Sequence, residues 1–147
     1  MVVKVTVAAF FGMSDFKKLR VWRKSHALTL NAHRVAASIR GSQYAPLRNQ
    51  MIRAAMSISA NIVEGREQRN ERDFARFLGY ALASTSELEY HLIIARDVRA
   101  IANTDFSATL AQLIDVRKML HGLMGKLSPR KLQSPKRTVP LSSADSA

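Results

Sequence analysis

Residues 50–65 read QMIRAAMSISANIVEG, a run with apolar residues on two sides of one helix. At about 100° per residue, Leu47, Met51, Ala54, Ile58 and Ile62 line one face. Ile52, Met56 and Val63 form a second stripe more than a third of a turn away. Gln50, Arg53, Ser57, Ala60 and Glu64 fill only a narrow polar strip between them. A surface helix of a globular domain carries one apolar stripe, so a helix with two must pack on two sides. This helix is therefore expected to sit between its own bundle and a second body. The simplest second body is a copy of the same chain, with Ile52, Met56 and Val63 at the interface.

The flanking sequence supplies three more amphipathic segments. The first runs from about Leu19 to Ile39, with Val21, Leu28, Ala32, Val35 and Ile39 in one stripe and Trp22, His26, Leu30 and His33 beside it. Gly41, Ser42 and Pro46 end it, and the central helix then spans about Leu47 to Gln68, with Gly65 as a weak spot. The third extends from about Glu71 to Ile101; Phe74, Ala81, Leu88 and Ala95 recur every seven residues, with Leu78, Thr85 and Leu92 between them. Such spacing favours shallow, nearly parallel helix packing. The fourth is expected to open with Thr104 as N-cap and Asp105 in its first turn. Its row is Phe106, Leu113, Leu120 and Leu127, with Leu110 and Met124 filling in. Sustained period-2 alternation occurs only in the N-terminal VKVTVAAF, so the fold class is all-α: an antiparallel up-down-up-down four-helix bundle.

The domain limits follow from composition. The first twelve residues, MVVKVTVAAFFG, are apolar but short and lack a small-x-small cleavage site. Residues 1–14 therefore read as an N-terminal extension, an upstream start or a loose tail, and 15–127 as the bundle. Residues 128–147 hold three of the four prolines, four basic residues and one acid, the composition of a disordered basic tail. No apolar run approaches the ~20 residues that span a bilayer, and a cytoplasmic location with no membrane partner is expected. There is no cysteine, which excludes disulfides, thiol catalysis and cysteine-ligated zinc.

Candidate chemistry is sparse. His26 and His33 are seven residues apart, about 10 Å along a helix and too far to share an ion. Glu87 and Glu89 precede His91 at i+4 and i+2, so the Glu-x-x-His motif of di-iron bundles is missing. Glu87 is expected to pair with Arg117 instead. No phosphate-cradling glycine loop and no nucleophile elbow occurs. Neither a catalytic residue, a metal site nor a cofactor is assigned, and the chain is expected not to be an enzyme.

Charge is more informative. The net charge of +12 points to polyanionic partners, nucleic acid first. In an up-down-up-down bundle the start of the first helix, the end of the second, the start of the third and the end of the fourth share a pole. That pole collects Lys17, Lys18, Arg20, Arg23, Lys24, Arg66, Arg69, Arg72, Arg76, Lys126, Arg130 and Lys131. These twelve cations stand against five acids, Asp15, Glu64, Glu67, Glu71 and Asp73. At the other pole Arg40, Arg48, Arg53, Arg96 and Arg99 stand against Asp97 and Asp105. No aromatic platform of the kind that RNA-binding sheets present is legible for reading bases.

Three motifs in order resemble the bacterial four-helix-bundle family encoded by intervening sequences within 23S rRNA genes. They are Phe16-Lys17-Lys18-Leu19-Arg20-Val21-Trp22, the central run from Gln50 to Gly65, and Phe74-Ala75-Arg76-Phe77-Leu78 followed by Glu87-Leu88-Glu89. The likeness covers Asp15 to Leu127 and departs from the family pattern at Ser59, where members commonly carry a proline. The resemblance implies a homopentameric ring of bundles. It also implies nucleic acid, and a reverse transcriptase or other protein, as partners, because relatives are accessory proteins of diversity-generating retroelements. The leading expectation is thus a non-catalytic oligomeric bundle that binds RNA or DNA, as an accessory to RNA processing or reverse transcription. Two alternatives stay open: a protein-interaction scaffold with incidental positive charge, and an enzyme whose site is assembled between subunits.

Overall fold

The computed structural model describes residues 15–127. Expectations for residues 1–14 and 128–147 lie outside the described residues. A 3-10 turn, Phe16–Lys18, leads into four helices, α1 (Arg20–Ser38), α2 (Ala45–Arg66), α3 (Glu71–Asp97) and α4 (Asn103–Lys126), with a second 3-10 turn, Ser42–Tyr44, between α1 and α2. Each packs on its neighbours around a square, α1 on α2, α2 on α3, α3 on α4 and α4 on α1, which is the up-down-up-down bundle. Among the described residues there is no strand.

The expected rows fill the core. Val21, Leu28, Ala32, Val35 and Ile39 are buried on the α1 side, and Met51, Ala54, Ile58 and Ile62 on α2. All seven positions of the α3 double row, from Phe74 to Ala95, are buried, as are Phe106, Leu113 and Leu120 of α4. Small residues let the helices approach closely. Between α1 and α2, the Thr29 hydroxyl donates to the Ala55 carbonyl at 3.1 Å, and Ser59 donates to Ser25 at 3.0 Å. Between α2 and α3, Ser57 and Ser84 bond at 2.9 Å. Ser59, where a proline would have removed a donor and kinked α2, instead keeps the helix continuous and contributes to this seam. Between α1 and α4, Asn31 Nδ2 donates to Thr109 Oγ1 at 3.0 Å and to Gln112 Oε1 at 2.9 Å, while Arg34 pairs with Asp105 at 3.0 Å.

The helix ends differ from the sequence expectations in instructive ways. The α3 helix stops at Asp97 rather than Ile101, because Arg99 adopts a left-handed φ of 59°. Ala100 N donates to Ala95 O at 2.8 Å and Arg99 N to Arg96 O at 2.9 Å, the bond pair of a Schellman motif. Ile101 is buried from the loop, so its apolar character marks core contact rather than helix. Thr104 is not the N-cap of α4. Ala102 holds that place with extended φ and ψ and no side-chain cap bond. Asn70 caps α3, its Oδ1 accepting from Asp73 N at 2.8 Å. Gly65 is buried inside α2, where a Cβ would lie 2.9 Å from both Phe74 and Phe77. It is a close-approach glycine that brings α3 against the end of α2.

Candidate nucleic-acid interface

The topology gathers the predicted cations at one pole. Lys17 and Lys18 lie exposed in the 3-10 turn, and Arg20, Arg23 and Lys24 lie exposed on the first turns of α1. Arg66 ends α2, Arg69 lies in the connection, Arg72 and Arg76 open α3, and Lys126 ends α4. Their local partners divide them. The Arg23 guanidinium donates to the carbonyls of Lys17 at 3.3 Å and Lys18 at 3.0 Å, which fastens the entry turn to α1. Arg76 pairs with Asp73 at 3.5 Å and lies 5.2 Å from the Phe77 ring. Arg66 is half-buried, and its Nε has no hydrogen-bond partner. Lys17, Lys18, Arg20, Lys24, Arg69, Arg72 and Lys126 form no ion pair among the described residues.

The opposite pole engages two of its five cations locally. Arg48 donates to the carbonyls of Ile39 at 3.0 Å and Gly41 at 2.9 Å, closing the turn in which Gly41 takes a φ of 107°. Arg96 pairs with Asp97 at 3.0 Å and sits 4.5 Å over the Phe106 ring. Arg40, Arg53 and Arg99 are exposed there without an ion pair among the described residues. Seven exposed cations of the basic pole and three of the opposite pole thus have no ion pair among the described residues.

Two features of the basic pole were not read from the sequence. An apolar groove of about 320 Å³ lies between the start of α1 and the end of α4, floored by Leu19, Val21, Met119 and Leu123 with Arg20 and Lys126 among its walls. In addition, an aromatic ladder climbs α1. Phe16 meets Trp22 edge-on at 5.1 Å, and Trp22 stacks on His26 at 5.0 Å with 7° between the planes. The i,i+4 spacing of Trp22 and His26 was the available signal. Phe16 joins the ladder only through the 3-10 turn, which no periodicity in the sequence marks.

The outer stripe of α2 is uneven. Met56 is 56% exposed, but Val63 is half-buried and Ile52 packs partly against the core. Leu30 of α1 is 59% exposed, and the Thr29–Ala55 bond places it at the level of Met56. The apolar surface offered outward is thus a patch shared by α1 and α2, centred on Leu30 and Met56.

The expected Glu87–Arg117 pair is corrected to Glu89. Arg117 Nη2 donates to Glu89 Oε2, and its Nε to Thr85 Oγ1 at 3.3 Å. Thr85 and Glu89 are one turn apart on the side of α3 that faces α4; Glu87 is exposed. Among the described residues no three His, Asp or Glu side chains group closely enough to hold a metal. No helix of the described residues is long and apolar enough to cross a membrane.

A four-helix bundle with an exposed cationic pole defines the class. The family model for the 23S rRNA-intervening sequence protein matches residues 17–122, and the chain belongs to that family. In fold it is similar to a solved structure from Bacteroides thetaiotaomicron VPI-5482, a protein with unknown function from the S23 ribosomal protein family. The two share 23% identity over 71% of this chain and 97% of that one, with a TM-score of 0.66. No curated protein matches the chain.

Proposed function

We propose that this protein is a non-catalytic, oligomeric bundle that binds nucleic acid through its basic pole in the cytoplasm, as an accessory to RNA processing or reverse transcription. The observation that carries the reading is the set of exposed cations without an ion pair among the described residues: Lys17, Lys18, Arg20, Lys24, Arg69, Arg72 and Lys126. Cations already paired have little to gain from a phosphate, whereas unpaired ones release counterions on binding. Contacts of this kind position a backbone and carry no base specificity. The Leu30–Met56 patch supports self-association, and a ring, pentameric as family resemblance implies, would multiply the pole and add avidity.

Fluorescence anisotropy of labelled RNA and DNA across a salt series tests the reading. Affinity is expected to fall on a log–log line with a slope of about −0.9 per phosphate neutralised on duplex DNA. Reversing Arg69, Arg72 and Arg76 to Glu weakens binding far more than reversing Arg96 and Arg99. Removing residues 128–147 controls for the basic segment beyond the bundle. If the triple variant binds like wild type and the truncation abolishes binding, the pole is not the interface. The scaffold reading, which the Leu30–Met56 patch also favours, then takes its place.

A further inference from the structure

The aromatic ladder lies among the pole's cations, and phosphate binding alone leaves it unexplained. Trp22 is half-buried against the core and so is fixed in place, while His26 is exposed. The stack thus begins at the core and ends in a ring open to solvent. A planar heteroaromatic ring laid on that end gains dispersion and sheds water from both faces. The Arg23 guanidinium bonds the Lys17 and Lys18 carbonyls, which fastens the entry turn carrying Phe16 and both lysines onto α1 at the foot of the ladder. A protein that bound only duplexes would need the cations and not the ladder, because paired bases keep their faces inside the helix.

We propose that the basic pole takes single-stranded nucleic acid, with one unpaired base stacked on His26 above Trp22 and the flanking phosphates beside Lys17 and Lys18. This inference rests on the reading of the pole as a nucleic-acid interface and adds the form of the ligand. The Ser59–Ser25 bond sets Trp22 near the level of Val63, so the ladder borders the edge where protomers would meet. Assembly is therefore measured alongside binding.

The chain contains one tryptophan, Trp22, which reports directly on the ladder. The full chain is titrated with a mixed-sequence 12-nucleotide single strand, as DNA and as RNA, and with the corresponding 12-base-pair DNA duplex, with light scattering in parallel. The single strand is expected to quench Trp22 emission. His26→Ala should weaken single-strand binding about 5-fold or more, the loss of one base–aromatic stack, and leave duplex binding and assembly mass unchanged. His26→Phe should restore single-strand affinity. Unquenched Trp22 with single-strand affinity unaltered in His26→Ala overturns the stacking proposal while the pole reading survives. Absence of binding to either form by the full chain overturns both.

Discussion

Met51 and Met56 stand five residues apart on α2; the first is fully buried and the second is 56% exposed. Residue type does not separate them. The inward row of Met51, Ala54, Ile58 and Ile62 is enclosed by the bundle, while the outward row meets other helices only at its margins through Ile52. Full burial of a side chain such as methionine stabilises by roughly 1.5–3 kcal/mol. Met51 contributes that within one protomer. Met56 and Leu30 stay largely exposed in the protomer, and in the proposed assembly the corresponding contribution would come from a contact between protomers. In that assembly one helix would serve two bodies, and each row can be broken separately.

The largest effect is expected on the inward row. Ile58→Ala removes a fully buried side chain and should lower stability by about 2–5 kcal/mol, read as a reduced urea midpoint with an unchanged slope. Gly65→Ala comes next. Alanine is the better helix former by about 1 kcal/mol, yet its Cβ would meet Phe74 and Phe77 at 2.9 Å. The net outcome should be a loss of about 1–3 kcal/mol, visible as a lower melting temperature. A stabilised Gly65→Ala variant would show that the close approach of α2 and α3 is not tight. The smallest effect belongs to the outward row. Met56→Glu should alter the stability of a protomer by less than about 0.5 kcal/mol and keep the helical circular dichroism signal. Light scattering should at the same time fall to the mass of one protomer. Wild-type protein that already scatters as a protomer at micromolar concentration would remove the reading of a contact between protomers.

The architecture was legible because the heptad rows are dense. The Phe74–Ala95 rows are buried throughout, as are Phe106, Leu113 and Leu120 of the fourth-helix row, while Leu110, Met124 and Leu127 are half-buried against the core. What escaped the sequence was local. Periodicity could not separate Glu87 from Glu89, since the choice depends on which side of α3 faces Arg117. Ile101 prolonged the apparent period of α3 although a left-handed Arg99 had already ended the helix. The cationic pole followed from topology alone, because four helix ends of known polarity must converge. Which of its cations are spoken for did not, since a carbonyl acceptor such as those holding Arg23 leaves no mark in the sequence.

Three seams of the square are joined by short turns, and the fourth, α1 against α4, has no covalent link between its helices among the described residues. A turn of a few residues limits how far two helices can slide, whereas a contact across the whole bundle has no such tether. Its loop-closure entropy is greater too, though by only about 0.6 kcal/mol for each doubling of the enclosed chain. The bonds from Asn31 to Thr109 and Gln112, with Arg34 on Asp105, therefore do for this seam what connectivity does for the others. They set the register. A shift of one turn would strand Thr109, which is fully buried, away from its donor. The bundle is in that sense a closed circuit, with three sides held by short turns as well as side-chain bonds and one by side-chain bonds alone.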